Sequence, residues 1–207
     1  MKYNWPKFKL CRREWINLYW TSKYDVRKRK KAPWQHWATM PRLSEFGKLL
    51  RNKQTLKRVY NLDEKKFKKT IMEKAWSYSK NKWVAHDTAA VQFLETRLDS
   101  ILLRAGFAST IMQARQIAWH GHFLLNWNKH KVPSYNLVVW DRISLRDKLK
   151  TSPLYSSIPL NSGWFKLPSW LNVNKETLEI ELLDMPRVEE ITLPADMLKA
   201  IEFYARA

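Results

Sequence analysis

Two glycines, Gly106 and Gly121, punctuate the middle of the chain and restrict what can form around them, because only 4 glycines occur in 207 residues. Ahead of the first, Leu94, Leu98, Ile101, Leu102 and Ala105 recur at helical spacing, so the pattern predicts a helix from Asp87 to Ala105. Gly106 suits the left-handed residue that ends a helix. Thr110 and Gln113, offset by three, form a capping-box pair that starts a second helix, and Gly121 stops it. Strand-like runs follow at once: His122 to Leu125, Lys131-Val132, Leu137 to Val139 and Ile143 to Leu145. A helix pair feeding short strands makes the expected fold class α+β, with a helix pair packed on a small antiparallel sheet.

The charge balance says what such a unit faces. There are 38 Lys+Arg against 19 Asp+Glu, a formal net charge of +19. Residues 1–82 carry +18, residues 83–150 carry +4 and residues 151–207 carry −3. Such an imbalance repels itself in a free compact protein and favours a polyanionic partner, nucleic acid before a membrane surface. No apolar run approaches the roughly 20 residues of a spanning helix. The lone Cys11 excludes an intrachain disulfide and a cysteine-based zinc finger. His120 and His122 are too few ligands for a metal by themselves, and no metal or cofactor is expected.

Residues 1–41 read as an irregular basic arm. Lys7, Lys9, Arg12 and Arg13 are interleaved with Trp5, Phe8, Trp15, Tyr19 and Trp20, and a run Arg27-Lys28-Arg29-Lys30-Lys31 precedes His36 between Trp34 and Trp37. A solvated tail is one reading. An arm that orders on RNA is the other, since alternating aromatics and cations bring base stacking and phosphate contact from one segment. Residues 42–60 read as a helix with Leu43, Phe46, Leu49, Leu50, Leu56, Val59 and Tyr60 recurring and Lys48, Arg51, Lys53, Lys57 and Arg58 elsewhere; Arg42, Arg51, Lys53, Lys57 and Arg58 are candidate RNA contacts. A further helix follows Asp63, with Phe67, Ile71 and Ala75 inward and Lys65, Lys66, Lys68 and Lys69 in its first turns. Residues 151–170 read as loop. Trp170 to Val173 and Leu178 to Leu182 form a candidate hairpin, and Pro194 to Tyr204 a closing helix with Met197, Leu198, Ile201 and Tyr204 on one face.

Within the central unit, Arg115 on the second helix is the leading candidate for a phosphate contact; its alternative is an ion pair with Asp99 or Glu95. Ser109 and Thr110 are placed to donate to phosphate beside a helix N-terminus, or simply to cap it. His120 is a candidate phosphate neighbour or an ordinary turn histidine, and Arg97 and Lys129 complete the set.

Arg97-Leu98-Asp99, Gly106-Phe107-Ala108-Ser109, Gln113-Ala114-Arg115-Gln116 and His120-Gly121-His122 together resemble the RNA-binding module named after small-subunit ribosomal protein four. The likeness continues through Asn126, Val132-Pro133-Ser134-Tyr135, Asp141 and Ile143. The flanks resemble the bacterial-type ribosomal family itself. They include Pro6-Lys7, Leu10, Arg12-Arg13-Glu14, Ala32-Pro33, Gln35-His36, Pro41-Arg42-Leu43-Ser44, Leu50-Arg51-Asn52-Lys53-Gln54, Trp170-Leu171 and Ile201-Glu202 with Tyr204.

The resemblance implies a mainly helical lobe with the module inserted in it: arm 1–41, lobe 42–95 completed by 188–207, and module with associated strands 96–187. It also implies binding at a junction in the 5′ part of the small-subunit rRNA, a role in nucleating assembly, contact with the fifth small-subunit ribosomal protein, a link to decoding accuracy, and a place near where messenger RNA enters. Trp5, Trp15, Trp34, Trp37, Trp127 and Trp140 stand where the family has glycine. Either the turn at Trp127 changes type, or the tryptophans gain stacking on RNA or protein; drifted codon use in an organellar genome would account for them together. A second reading is an RNA-modifying or tRNA-handling enzyme built on the same module. Pseudouridine synthases carry a catalytic aspartate in a triplet like Arg97-Leu98-Asp99, but their downstream Thr-x-Gly pattern is missing here. A diverged bacterial-type chain without a presequence points to a mitochondrial ribosome, with plastid or bacterial cytoplasm as alternatives.

Overall fold

The computed structural model describes residues 6–19, 21–26, 33, 42–156, 167–174 and 176–206. His36, the Arg27–Lys31 run, Trp34 and Trp37 lie outside them. The chain divides into two compact units, residues 1–90 with 193–207 and residues 91–192.

In the first unit the irregular arm expected over residues 1–41 is corrected at Lys7–Glu14, which is a helix (α1). Pro6 stands at its N-cap, where a missing N–H costs nothing, and Leu10 and Cys11 are buried. Arg12 and Arg13 fall in the last turn, where cations suit the helix dipole. Helix α2, Glu45–Val59, starts at Ser44, whose Oγ accepts from the Gly47 N–H at 3.2 Å. It buries Leu49, Leu56 and Val59. The expected stripe is corrected at its start, because Leu43 and Phe46 are exposed.

The closing helix α10, Met197–Arg206, packs on α2, and Phe203 lies 5.3 Å from Phe46. It begins three residues later than Pro194, because Asp196 caps it: its Oδ1 accepts from the Leu198 N–H at 2.9 Å. Asn52 locks that cap by accepting from the Asp196 N–H and donating to its carbonyl. The buried face is Met197, Ala200, Phe203 and Tyr204, and Leu198 points outward, a correction to the expected stripe. A continuous rod follows Asp63: α3 Glu64–Lys68, a π-helical stretch Lys69–Ala75, and α4 Trp76–Lys82. Phe67, Ile71 and Ala75 are fully buried along it, as their spacing predicts.

Helix α5, His86–Glu95, carries the chain into the second unit. The single helix expected from Asp87 to Ala105 is two: α5, then α6 at Leu98–Arg104. Arg97 is extended between them. The freed backbone groups find partners far along the chain: Leu98 N–H donates to the Tyr135 carbonyl (2.8 Å), Asp99 N–H to Pro133 (3.1 Å), and Leu137 N–H to Thr96 (2.9 Å). Ser100 Oγ donates to the Leu94 carbonyl at 2.7 Å. These bonds satisfy groups that a helix end leaves orphaned. They also correct the strands expected at Lys131-Val132 and Leu137 to Val139, since residues 133–137 close this break instead, with one isolated bridge between Arg97 and Asn136.

Helix α6 ends at Gly106 (φ 83), with Phe107 N–H reaching the Leu102 carbonyl and Gly106 N–H reaching Leu103. Helix α7, Ile111–Trp119, ends the same way at Gly121 (φ 65). Both are left-handed terminations that glycine makes without strain. Among the described residues, five antiparallel strands complete the unit: β1 Phe123–Leu125, β2 Asn128–Lys129, β3 Arg142–Leu145, β4 Leu171–Asn174 and β5 Glu179–Leu182, in the order β2-β1-β3-β5-β4. Phe123 pairs with Leu145, Leu125 with Ile143, and Ile143 with Ile180, so one face is apolar and buried. Short helices α8, Asp147–Lys150, and α9, Pro153–Ser156, follow β3, and α9 corrects the start of the loop expected over residues 151–170. The expected hairpin is present as β4–β5, and Trp170 at its start is buried. In the β1–β2 turn, Asn126 (φ 46) and Trp127 (φ 69) are both left-handed, so the turn keeps the type a glycine would take.

Candidate nucleic-acid interface

Six of the basic residues singled out from sequence, Arg51, Lys53, Lys57, Arg58, Arg97 and Arg115, are joined to a carboxylate. In the first unit, Glu14 at the end of α1 receives Arg58 at 2.5 Å and Arg51 at 3.7 Å, both from α2. Arg51 also donates to the Arg13 carbonyl. Glu64 at the start of α3 receives Lys53 (2.6 Å), Lys57 (2.8 Å) and the Tyr204 hydroxyl (2.7 Å). Burial alone would raise the Glu64 carboxyl, but those three hydrogen bonds outweigh it and hold the group at about 2. Tyr204 is pushed up in turn, by burial first and then by the carboxylate it serves. Lys53 is 5% exposed, and its Nζ lies 4.4 Å from the Phe203 ring centroid. Each knot sets two cations against one carboxylate, so it cross-links helices and still leaves positive charge.

In the second unit Asp99, wholly buried, is the corresponding centre. Arg97 meets both of its oxygens at 3.0 Å, and Arg115 donates twice to Oδ2, at 3.0 and 2.7 Å. The ion pair with Asp99 expected as the alternative for Arg115 is present, and about a quarter of the Arg115 side chain stays exposed (24%). Arg97 is 8% exposed. Arg104 and Glu95 form a second bidentate pair at 2.9 and 2.7 Å. Both side chains that donate to the Asp99 carboxylate are guanidinium groups.

The capping box is present in shifted form: Thr110 Oγ1 accepts from Gln113 N–H (3.3 Å), while Gln113 Oε1 takes both the N–H and the hydroxyl of Ser109. His120 sits beyond α7, its Nε2 2.5 Å from the Gln116 amide nitrogen, and its ring lies 6.0 Å from that of His122. Burial lowers His122, with His120 and Arg146 adding to it, and Nδ1 meets the Tyr155 hydroxyl at 2.7 Å.

The remaining candidates lie nearer the surface. Arg42 is exposed ahead of α2, and Lys129 is exposed on β2. In α1, Lys7 lies over the Tyr19 ring at 5.8 Å, Arg12 over the Phe8 ring at 5.7 Å, Lys9 is half-buried and Arg13 is exposed. Sequence reasoning passed over the exposed Lys74, Lys80 and Lys82 along the rod; Lys65 and Lys66, which it placed in the first turns after Asp63, are exposed as well, as are Lys48 on α2 and Lys131 after β2. The signal was there, since the positions flanking the buried Phe67–Ile71–Ala75 stripe must face outward.

A family model described as the Ribosomal protein S4/S9 N-terminal domain matches residues 2–95, and one for the S4 domain matches residues 96–143. The chain belongs to the uS4 family of small ribosomal subunit proteins. Small ribosomal subunit protein uS4 of Petrotoga mobilis is 36% identical over 215 residues, covering 99% of both chains. The uS4 proteins of Thermotoga petrophila and Heliobacterium modesticaldum are 37% and 35% identical, again over 99% of both chains. The uS4 likeness thus extends through both units, and the junction between the two family matches falls at the break between α5 and α6. Among the described residues, no cluster of His, Cys, Asp or Glu is disposed to hold a metal, and no helix is long and apolar enough to cross a membrane.

Proposed function

We propose that this chain is a structural constituent of the small ribosomal subunit that binds its rRNA and carries out no catalysis. The observation that carries the reading is the end-to-end match, in which chain and relatives cover 99% of one another. An RNA-modifying enzyme would need a catalytic domain beside the module, and every segment here already aligns with a ribosomal protein. The charge of +19 supplies the electrostatics, with phosphate neutralisation giving affinity and RNA shape giving the choice of site.

Within this reading, the candidates at or near the surface make the phosphate contacts: exposed Arg13, Arg42, Lys129, Ser109 and His120, half-buried Lys7, Lys9, Arg12 and Thr110, and, beside them, exposed Lys65, Lys66 and Lys131. Arg51, Lys53, Lys57, Arg58, Arg97 and Arg115 hold helices in register and contribute positive charge from behind. The finer placement carried forward is a multi-helix junction in the 5′ part of the rRNA, early in assembly, beside the fifth small-subunit protein, with an effect on decoding accuracy and a position near incoming messenger RNA. The relatives named above are bacterial, which favours a bacterial-type ribosome in its cytoplasm, with an organelle, mitochondrial or plastid, as the alternative. Co-sedimentation tests the reading. The protein should remain with salt-washed small subunits at one copy each, and release at the first high-salt wash would favour the enzyme.

A further inference from the structure

Among the described residues, seven that are not glycine have a positive φ: Trp15, Asn61, Trp83, Asn126, Trp127, Trp140 and Leu178. Asparagine tolerates that region, and a bulky side chain does not. Yet four of the seven are tryptophan, out of only seven tryptophans described (15, 76, 83, 119, 127, 140 and 170).

Each of the four fills a slot whose geometry asks for glycine. Trp15 (φ 56) follows α1, and past it Ile16 N–H returns to the Cys11 carbonyl at 3.2 Å. That is the closure made past Gly106 and Gly121, where Phe107 returns to Leu102 and His122 to Ile117. Trp83 (φ 55) immediately follows the last residue of α4. Trp127 (φ 69) is the second residue of a two-residue hairpin turn after an asparagine, the position that Asn-Gly turns give to glycine. Trp140 (φ 76) is the third residue of a turn closed by Asp141 N–H on the Val138 carbonyl at 3.0 Å, where a positive φ again selects glycine.

The indoles gain little burial in return. Trp83, Trp127 and Trp140 are 96%, 70% and 68% exposed, and Trp15 is 38% exposed. Trp170 is the opposite case, with 1% exposure and no positive φ.

We propose that residues 15, 83, 127 and 140 are glycine in the protein the cell makes, because their codon is UGA and a glycine tRNA reads it. UGA is assigned to tryptophan in some genetic codes. It differs from the glycine codon GGA in the first base alone, so a single anticodon change in a glycine tRNA is sufficient. Trp170 is true tryptophan, encoded by UGG. The consequence for the interface is that these four turns offer no stacking rings, and contact there falls to backbone and neighbouring cations.

Peptide mass spectrometry on the protein purified from its own cells, read beside the gene, tests this. The peptides spanning 15, 83, 127 and 140 should each be lighter by the difference between tryptophan and glycine, with UGA at every one, and the peptide spanning 170 should carry tryptophan from UGG. Tryptophan at any of the four, or glycine at 170, overturns the proposal.

Discussion

In residues 91–192, Arg97 and Arg115 close on Asp99 and Arg104 closes on Glu95, so the helix pair holds its arginines inward as staples. In residues 1–90, the α3–α4 rod turns Lys65, Lys66, Lys74, Lys80 and Lys82 outward. Side-chain chemistry accounts for part of the contrast: a guanidinium presents a rigid fork that grips both oxygens of a buried carboxylate, while an ammonium on a flexible stem is strongly hydrated and suits an exposed face. Lys53 and Lys57 depart from it, because Glu64 holds both of their ammonium groups. Net charge therefore does not by itself mark a footprint. The same +19 divides into cations that hold the fold and cations left for a partner.

Substitutions that attack one class and spare the other sharpen this division. The largest effect is expected at Asp99→Ala. Removing the carboxylate leaves the buried Arg97 guanidinium, and with it the part-exposed Arg115, without their shared acceptor, which costs about 3 kcal/mol and should appear as a large drop in the urea midpoint. Gly121→Ala comes next. It forces a methyl into φ +65 and to 2.9 Å from Lys129 Cε, whose flexible stem can move, so backbone strain of about 1–2 kcal/mol should dominate the fall in Tm.

A smaller effect belongs to Glu64. Its carboxyl lies at about 2 when folded, against an ordinary 4.5, so its contribution is fully present above pH 4.5 and is lost as pH falls towards 2. With the side chain 44% exposed, solvent screening reduces this to about 1 kcal/mol. Stability of the Glu64→Gln variant measured against pH should lack that acid-side decline. The smallest stability change is expected for Lys65→Ala with Lys66→Ala, within about 0.5 kcal/mol, because both side chains are exposed on the rod.

Local rules made some of these features legible. The Phe67–Ile71–Ala75 stripe, the glycine stops at 106 and 121 and the Thr110–Gln113 box depend on neighbours within a few residues, and the sequence displays all of them. The break at Thr96-Arg97 was hidden because the apolar rhythm of Leu94, Leu98 and Ile101 runs straight through it, while the bonds that stabilise it come from residues 133–137. The roles of the cations were hidden for the same reason. Arg58 meets Glu14 across 44 positions and Tyr204 meets Glu64 across 140, separations that no local pattern records. The α1 helix escaped notice because aromatics and charges mask the short buried pair Leu10-Cys11.

The salt dependence of binding to small-subunit rRNA measures the division directly, taken side by side for the native chain, the Lys65→Ala/Lys66→Ala variant and Arg115→Gln. Exposed lysines that neutralise phosphates should lower the slope of log K against log salt by about two when both are removed, while Arg115→Gln, which removes a charge committed to Asp99, should leave the slope unchanged. A native slope in the double-lysine variant, with one lowered by about one for Arg115→Gln, would contradict the assignment of gripping to the exposed lysines and of framework to the arginines paired with Asp99.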